Sequence, residues 1–401
     1  MPLPVVFVLL TVMIDTMGVG LIMPVMPDLI KEVTGGNLAN AALWGGVLTA
    51  AFAAMQFLFA PFLGSLSDRF GRRPVLLLSL AVMAVDYVVM AFAGSIWLLL
   101  VGRIIGGITA ATHATASATM ADLSEPGKES EGFGLVAAAV GLGFIAGPLI
   151  GGALGEFGTR APFWAAAVLA AANLILGWVV LRETVTDDIR RPFAWRRANP
   201  FGSFYDLSKL PGIGRGVISF FLYQFSFAVY PAVWAYYGKA QFGWNAGMIG
   251  LSLALFGVSM VVVQGVLIRA ILARFGDRGT AILGLVFSAI GFGALAVIDS
   301  GIVALILTPL AAMGAVFSPA LQGLMSVKLG PDRQGELQGI LGSASAVAMA
   351  IAPLMMGGIF AHYAAPDAAW YFPGAPFILS LVLTLVAMIL FLAPTSQTQK
   401  S

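Results

Sequence analysis

The sequence predicts an all-α membrane protein with twelve transmembrane helices arranged as two six-helix halves. Hydrophobic residues make up 59% of the 401 residues and charged residues only 10%, whereas soluble domains carry about 25% charged residues. Apolar runs follow one another at lengths near the roughly 20 residues that a helix needs to span a bilayer. The two halves also share motifs at a constant spacing. Most of the surface is therefore expected to face lipid.

The apolar runs divide the chain into spans and connections. A polar stretch at 182–214 separates a first six-helix bundle, 1–181, from a second, 215–401, and is interpreted as a cytoplasmic linker with an interfacial helix near 200–210. The N-terminal run lacks the basic region and cleavage site of a signal peptide and is predicted to be the first span. The predicted spans are 5–27, 41–66, 75–94, 97–121, 132–154, 162–181, 215–237, 246–270, 280–298, 302–327, 336–361 and 370–393.

The placement of Lys and Arg predicts the orientation in the membrane. Most of the 21 Lys and Arg residues fall on the side of the two termini and the linker, and only Lys31, Arg160 and Lys239 fall on the other side. Because positively charged loops stay in the cytoplasm, both termini are predicted to be cytoplasmic in a multi-pass inner-membrane protein.

An internal repeat supports two equivalent halves. RFGRR at 69–73 recurs as RFGDR at 274–278, an offset of 205 residues. Pro148 in GPLIGG matches Pro353 in APLMMGG at the same offset, and further residues around 126–134 match 331–339. Parallel repeats of this kind are typical of transporters in which two bundles rock about a central site.

Three motifs resemble those of the major facilitator superfamily. GSLSDRFGRRP at 64–74 resembles its loop between helices 2 and 3, and DTMGVGLIMPVMP at 15–27 resembles the helix 1 motif of its drug/proton antiporters. The glycines and proline at 134–152 resemble the helix 5 antiporter motif. DRFGRRPVLLLSL, GRIIGGITAAT, FGWN and PALQGLMS bring the sequence nearest to the tetracycline efflux branch.

The resemblance implies proton-coupled antiport of small amphipathic compounds, tetracycline among them. A carrier of the same fold for a metabolite is the alternative, and a membrane enzyme, receptor or scaffold is a third possibility that would need an extra domain or a catalytic constellation. Tetracycline pumps carry a buried acid in helix 9 and a histidine in helix 8. The corresponding places here fall near Ser288 and Met260, so the second half has no acid in mid-membrane.

Ionisable residues within spans are candidates for ion coupling because a charge at mid-membrane costs at least ~2.5 kcal/mol. All three lie in the first half: Asp15, Asp86 and Arg103. We expect Asp15 to be the main proton carrier, Asp86 a secondary one, and Arg103 to compete with the proton for a carboxylate. The alternative is a static pair that only fixes helix packing.

The loop at 64–74 is predicted to anchor topology and to act as a switch. Gly64 and Gly71 are expected to allow close packing and a tight turn, and Arg69, Arg72 and Arg73 to hold the loop on the cytoplasmic side. By resemblance, Asp68 engages the start of helix 11, near 334–338, when the cytoplasmic side is closed. The repeat has Ala273 in place of Asp68, which predicts an asymmetric latch.

Two further groups are candidates for helix packing and for substrate contact. Glycines at near-helical spacing should let another helix press against helix 5, either as a seal against ion leak or as ordinary small-residue packing; this motif comprises Gly134, Gly143, Gly147, Pro148, Gly151 and Gly152. Polar and aromatic residues either line a substrate cavity or pack against lipid and neighbouring helices; these are His113, Tyr223, Gln224, Tyr230, Trp234, Gln264, Ser318 and Gln322. Tyr223, Tyr230 and Trp234 could form one wall, and His113 could instead make a hydrogen bond between helices.

Several function classes are excluded by missing motifs. The sequence has no G-x-x-x-x-G-K-[ST] motif for an ATPase, no G-x-S-x-G and no H-E-x-x-H. It has no cysteine and only two histidines, too few for a dedicated metal site. We therefore expect no enzyme activity and no cofactor or metal. The predicted energy source is a proton gradient, and the predicted partners are protons, a small amphipathic substrate and the bilayer, without nucleic acid, for a chain that functions as a monomer.

Overall fold

Helices account for the regular structure throughout the described part of the chain. The computed structural model describes residues 1–110, 112–125, 129–185, 213–330 and 333–393, without the side chains of 112, 113, 129 and 130. Eleven helical stretches within these residues are long and apolar enough to cross a membrane. The longest, Ala246–Val297, turns at Gly276 and therefore crosses twice. The predicted count of twelve spans is confirmed.

The first six spans follow the predicted order with altered ends. Their bounds are α1 Leu3–Ile22, α2 Leu38–Phe70, α3 Arg72–Ala91, α4 Ile96–Thr109 continuing as Thr112–Leu123, α5 Glu129–Gly155 and α6 Ala161–Val180. The first predicted span extended to residue 27, but α1 ends at Ile22 and a separate short helix covers Met26–Thr34. Pro24 explains the end, because proline has no N–H to continue the helical hydrogen bonds.

The last six spans contain the interruptions. Their bounds are α7 Gly214–Phe227 continuing as Val229–Phe242, α8 246–275, α9 277–297, α10 Gly301–Met313 continuing as Phe317–Leu329, α11 Gln334–Tyr363 and α12 Ala375–Leu392. Pro231 and Pro319 follow the breaks in α7 and α10 and remove a hydrogen bond there. The predicted spans left residues 271–279 between α8 and α9, but the connection is one residue, Gly276, with φ 63°. A π-helical segment, Val263–Leu267, lies within α8.

The two halves contact one another mainly through two helix pairs, α2 with α11 and α5 with α8, and α7 also contacts α2 and the short helix Met26–Thr34. We call the end of the bundle that carries the turns at Gly71 and Gly276 the basic end, and the other the opposite end. The close contacts between the halves lie towards the opposite end, at 42–46 with 353–357 and at 152–155 with 246–250. Towards the basic end, residues 51–64 of α2 are half-exposed. The linker, 186–212, lies outside the described residues, as does the interfacial helix expected near 200–210.

Candidate functional site

The three ionisable residues of the spans line one pocket in the first half. Asp15 on α1, Asp86 on α3 and Arg103 on α4 each lie within about seven residues of the helix end at the opposite end of the bundle. Asp86 and Arg103 are buried, and Asp15 is half-buried. The lining residues are Asp15, Val19, Phe52, Met83, Asp86, Tyr87, Arg103, Gly106 and Ala110. The structure thus brings together the residues predicted for proton coupling, whose roles stay a prediction.

Asp86 and Arg103 are neighbours without a direct ion pair. Oδ1 of Asp86 and Nε of Arg103 are buried and have no hydrogen-bond partner among the described residues. Arg103 instead donates from Nη2 to the sulfur of Met90 at 3.1 Å, and its guanidinium lies 5.3 Å from the centre of the Phe52 ring. A methionine sulfur and an aromatic face are weak partners for a cation compared with a carboxylate. The guanidinium is therefore held close to Asp86 while the carboxylate remains unpaired.

Glycines on α4 make room for the buried carboxylate. A Cβ at Gly102 would lie 3.0 Å from Oδ1 of Asp86, and one at Gly106 would lie 3.1 Å from Oδ2. The sequence analysis missed both glycines and also Tyr87. The four-residue spacing of Gly102 and Gly106 was a usable signal, because it clears one face of a helix. No sequence pattern marked Tyr87.

Uncharged polar groups connect three helices of the second half. Nε2 of Gln224 on α7 donates to Oγ of Ser345 on α11 at 3.1 Å, and Oγ of Ser318 on α10 donates to Oε1 of Gln224 at 3.3 Å. All three side chains are half-buried. We call them the Gln224 network. Gln322 lies four residues after Ser318 and is also half-buried. Ser345 was missed by the sequence analysis.

The three residues of the predicted aromatic wall have different surroundings. Tyr230 and Trp234 line a cavity inside the second half, beside Phe256, and Nε1 of Trp234 donates to Oγ of Ser252 at 2.9 Å. Tyr223 does not line this cavity: its ring packs 4.7 Å from that of Phe317. The ring of Phe227 lies 6.0 Å from that of Tyr223 and 5.4 Å from that of Tyr230, and a role of the three predicted residues as one wall stays a prediction.

Of the two remaining predicted cavity residues, one is separate from these clusters and the other has no described side chain. Gln264 is exposed and lies in the π-helical segment of α8. His113 lies outside the residues whose side chains the structure describes. Among the described residues, no group of three or more His, Asp or Glu side chains could hold a metal ion.

The loop at 64–74 is a one-residue turn between α2 and α3. Gly71 has φ 107°, a conformation that L side chains rarely adopt. Glu183 caps α3 by accepting hydrogen bonds from the backbone N–H groups of Arg72 at 2.8 Å and Arg73 at 3.3 Å. A Cβ at Gly71 would overlap this carboxylate. Gly64 makes no such approach, since nothing lies within 4 Å of where its Cβ would be, so the expected close packing there is wrong for this conformation.

The charged side chains of the loop find partners within the first half. Asp68 pairs with Nη1 of Arg72 at 2.5 Å, and Nε of Arg72 lies 3.3 Å from Oδ2 of Asp122. Arg69 stacks on Phe70, and Arg73 stacks on Trp178. At the start of α11, Gln334 donates to the backbone oxygens of Ser326 and Gly330. The contact of Asp68 with α11 is predicted for a conformation in which the basic end is closed, and it stays a prediction.

The helix 5 glycines place α5 between two helices. Gly143, Gly147 and Gly151 face the backbone of α1, where an added Cβ would approach the carbonyls of Met13, Met17 and Leu21. Gly152 faces α8, and its Cβ would lie 2.6 Å from the carbonyl of Ala246. Pro148 packs its ring on Gly20. Gly134 is exposed with open space around it, so it takes no part in this packing.

Polar contacts join the halves at the opposite end. Nζ of Lys239 on α7 lies 2.7 Å from Oδ2 of Asp28 in the short helix after α1. Oε1 of Glu156, just after α5, accepts from the backbone N–H of Gly247 in the first turn of α8 at 2.8 Å. A negatively charged carboxylate at the N-terminus of α8 also interacts favourably with the dipole of that helix.

Glu32 and Arg160 join elements of the first half at the same end. Nη2 of Arg160 donates to Oε1 of Glu32 at 2.9 Å, and Thr159 donates to Oε2 at 2.7 Å. Nη1 of Arg160 donates to the carbonyls of Ala91 and Ala93 after α3. The hydrogen bonds from Arg160 and Thr159 lower the pKa of the Glu32 carboxyl.

Comparisons with known proteins agree with this architecture. The family model "Major Facilitator Superfamily" matches residues 8–233 and 216–401. The chain is 40% identical to the class C tetracycline resistance protein of Escherichia coli, over 94% of this chain and 93% of that one, and 39% identical to the class G protein of Vibrio anguillarum, over 95% of each. The crystal structure of the human organic anion transporter MFSD10 has a TM-score of 0.70 and 26% identity, and the match covers 97% of this chain and 99% of that one. The resemblance seen in the motifs extends over nearly the whole chain, and the protein belongs to the major facilitator superfamily.

Proposed function

We propose that the protein exports small amphipathic drug-like compounds across the inner membrane in exchange for protons, by alternating access. Identity of about 40% with tetracycline resistance proteins over nearly the full chain supports drug export. Proton coupling is supported by one observation: Asp15, Asp86 and Arg103 line the same pocket, and Arg103 makes no direct ion pair with Asp86.

Proton loading follows from the chemistry of this pocket. A carboxylate taken out of water favours its protonated form, and an approaching arginine favours the ionised form. In our proposal, Asp15 takes up the proton and releases it when helix movement brings Arg103 closer to the carboxylates. Because Arg103 already lies near Asp86, a small movement of α4 relative to α1 and α3 changes which groups are paired.

Alternating access is supported by the distribution of contacts between the halves. The bundles 1–181 and 215–401 touch at the opposite end through close glycine contacts and through Lys239 with Asp28. The positive-inside rule assigns the basic end, the linker 182–214 and both termini to the cytoplasm. With this orientation, we infer a state that is closed to the outside and open to the cytoplasm.

The substrate is proposed to lie between the charged pocket of the first half and the neutral polar groups of the second. Gln224, held by Ser318 and Ser345, presents hydrogen-bonding groups without charge. Ser288 stands near the place where the tetracycline branch carries an acid. A neutral wall suits compounds with hydrogen-bonding groups on an apolar frame, and tetracycline is one candidate.

The test is export from a pump-deficient host that expresses the full chain, with a panel of amphipathic drugs that includes tetracycline. We expect active export of at least one drug, loss of export with an uncoupler, and loss of proton-driven export in Asp15→Asn. The matched control is Asp367→Asn, an acid in the connection between α11 and α12. Full uncoupler-resistant export in Asp15→Asn would contradict proton coupling, and export of a metabolite alone would favour the metabolite carrier.

A further inference from the structure

Tyr87 reaches from α3 across to α1 within the charged pocket. Its hydroxyl occupies the space beside Gly18, where an added Cβ would overlap it. Gly18 lies three residues after Asp15 on α1, which is nearly one helical turn. The side chain is 6% exposed and lines the same pocket as Asp15 and Asp86. Tyr87 thus places a hydroxyl between the helices that carry the two carboxylates.

Four polar groups around this pocket lack partners. Within the described residues, the hydroxyl of Tyr87 and the carboxylate of Asp15 make no hydrogen bond, and Oδ1 of Asp86 and Nε of Arg103 are buried without one. Buried tyrosine hydroxyls and carboxylates normally have partners. The pocket has room for about one water molecule. One water molecule, which can make up to four hydrogen bonds, would give each of these four groups a partner.

We propose that Tyr87 is a positioning residue that, with one bound water, connects Asp15 to Asp86 for proton exchange; this rests on the proton-coupled export proposed above. The carboxyl of Asp15 gives its proton to the water as the water gives another proton to the carboxylate of Asp86. One proton moves from Asp15 to Asp86, and the water is unchanged. Tyr87 stays neutral and donates its O–H to the water or to the ionised carboxylate, which fixes the geometry of the transfer.

The charged groups that face Tyr87 are few, which makes its role testable. They are Asp15 on α1, Arg103 on α4 and Asp86 on α3 itself. The neighbouring α6 carries no charged residue from Ala161 to Val180, and α2 contributes the Phe52 ring. If removal of the hydroxyl changes the pH dependence of export, the change must therefore come from these charged groups.

A second tyrosine provides a matched control. The hydroxyl of Tyr236 on α7 also lies where a Cβ of a facing glycine would be, at Gly45 on α2. Tyr236 is buried like Tyr87, but it faces the contact between the halves rather than a charged pocket. Removal of its hydroxyl tests the packing role alone.

The experiment compares Tyr87→Phe and Tyr236→Phe in the full chain, reconstituted in vesicles with a pH-sensitive dye inside. For Tyr87→Phe we expect proton-driven export to fall about five-fold, the factor that corresponds to one net hydrogen bond, and its pH midpoint to shift by about half a unit or more. Exchange of substrate without a proton gradient should stay within about two-fold of the wild type. Tyr236→Phe should keep the wild-type pH profile.

Two further variants separate the possible failures. Gly18→Ala keeps the tyrosine but displaces its hydroxyl, and we expect the same change in pH profile; it replaces Tyr87→Phe if that variant does not fold. Wild-type rates and pH midpoints in both variants would overturn the role of Tyr87. If Asp15→Asn abolishes proton-driven export while both variants behave as wild type, only this inference fails; if Asp15→Asn exports normally, the proposed function fails as well.

Discussion

Pro148 and Pro353, 205 residues apart, present their backbone carbonyls to glycines of the opposite half. The carbonyl of Pro148 on α5 faces Gly250 on α8, and the carbonyl of Pro353 on α11 faces Gly46 on α2, each in the place that a Cβ would occupy. Four residues later, Gly152 faces the carbonyl of Ala246, and Gly357 faces that of Ala42. These two main contacts between the halves are thus built alike, and neither has room for a side chain at its glycines.

Enlarging one of these glycines should separate the halves at the opposite end. A Cβ at Gly357 would lie 2.7 Å from the carbonyl of Ala42, whereas nothing lies within 4 Å of a Cβ at the adjacent Gly358. We expect Gly357→Leu to lose transport and to increase the distance between labels at the exposed positions 40 and 366, and Gly358→Leu to resemble the parent protein. The chain has no cysteine, so pairs of introduced cysteines can be labelled and measured without background. Equal distances in the two variants would contradict the contact.

The ion pair between Lys239 and Asp28 should favour closure of the opposite end by a small amount. Its side chains are partly exposed, at 15% and 35%, and such pairs contribute about 0.2–1 kcal/mol. We expect Lys239→Gln to raise the accessibility of a cysteine at position 42, an alanine buried at this end, to a water-soluble reagent by no more than about five-fold. The exchanged pair, Lys239→Asp with Asp28→Lys, should restore the parent value. An unchanged accessibility in Lys239→Gln would show that the pair does not hold the closed end.

Loss of the Glu183 carboxylate should loosen the start of α3. Helix capping groups contribute about 0.5–2 kcal/mol, and Glu183 accepts from the N–H groups of Arg72 and Arg73. Hydrogen exchange of the peptide that begins at Arg72 should therefore be roughly two- to thirty-fold faster in Glu183→Ala. Asp367→Ala, in the connection between α11 and α12, serves as the control and should leave this peptide unchanged. Parent rates in Glu183→Ala would refute the capping role.

Glu32 should make thermal stability depend on pH at the acid end of the range. Its pKa is lowered in the folded protein by Arg160 and Thr159. A lowered pKa contributes stability that is fully present above the unfolded value of about 4.5 and is lost as the pH falls through the folded value. Glu32→Gln should therefore have a lower Tm than the parent at pH 7, and the difference should shrink as the pH falls below about 4.5. A constant difference in Tm across this range would contradict the ion pair.

The sequence predicted the spans well because their signals are local. Length and hydropathy decide whether a helix crosses a bilayer, and the repeat at an offset of 205 residues already pointed to two equivalent halves. Breaks within spans were missed, since a proline such as Pro231 or Pro319 interrupts a helix without changing its hydropathy. The turn at Gly276 was also not predicted, because one glycine with positive φ reverses the chain where the predicted spans left the nine residues 271–279 as a connection.

The site was only partly predictable. Charges within apolar runs identified Asp15, Asp86 and Arg103, because such residues are rare in lipid. Tyr87 and Ser345 were not identified, because a tyrosine or serine in a span, unlike a charged residue, carries no free-energy cost that would indicate a functional role. Their positions depend on which helix faces they share with Gly18 and Gln224, and helix faces are set by packing between segments far apart in sequence.

The Gln224 network and the charged pocket lie in different halves of one chain, and for the exporter proposed above this separation bears on how the set of exported compounds can change over time. Mutations that reshape the neutral side of the cavity would alter which compounds are recognised and leave the ionisable groups intact. Under the proposed function, selection by a new drug would act on one bundle while the groups proposed for proton coupling in the other are preserved. The proposal then predicts that variants selected in the laboratory for export of a new compound carry their substitutions mostly after residue 213.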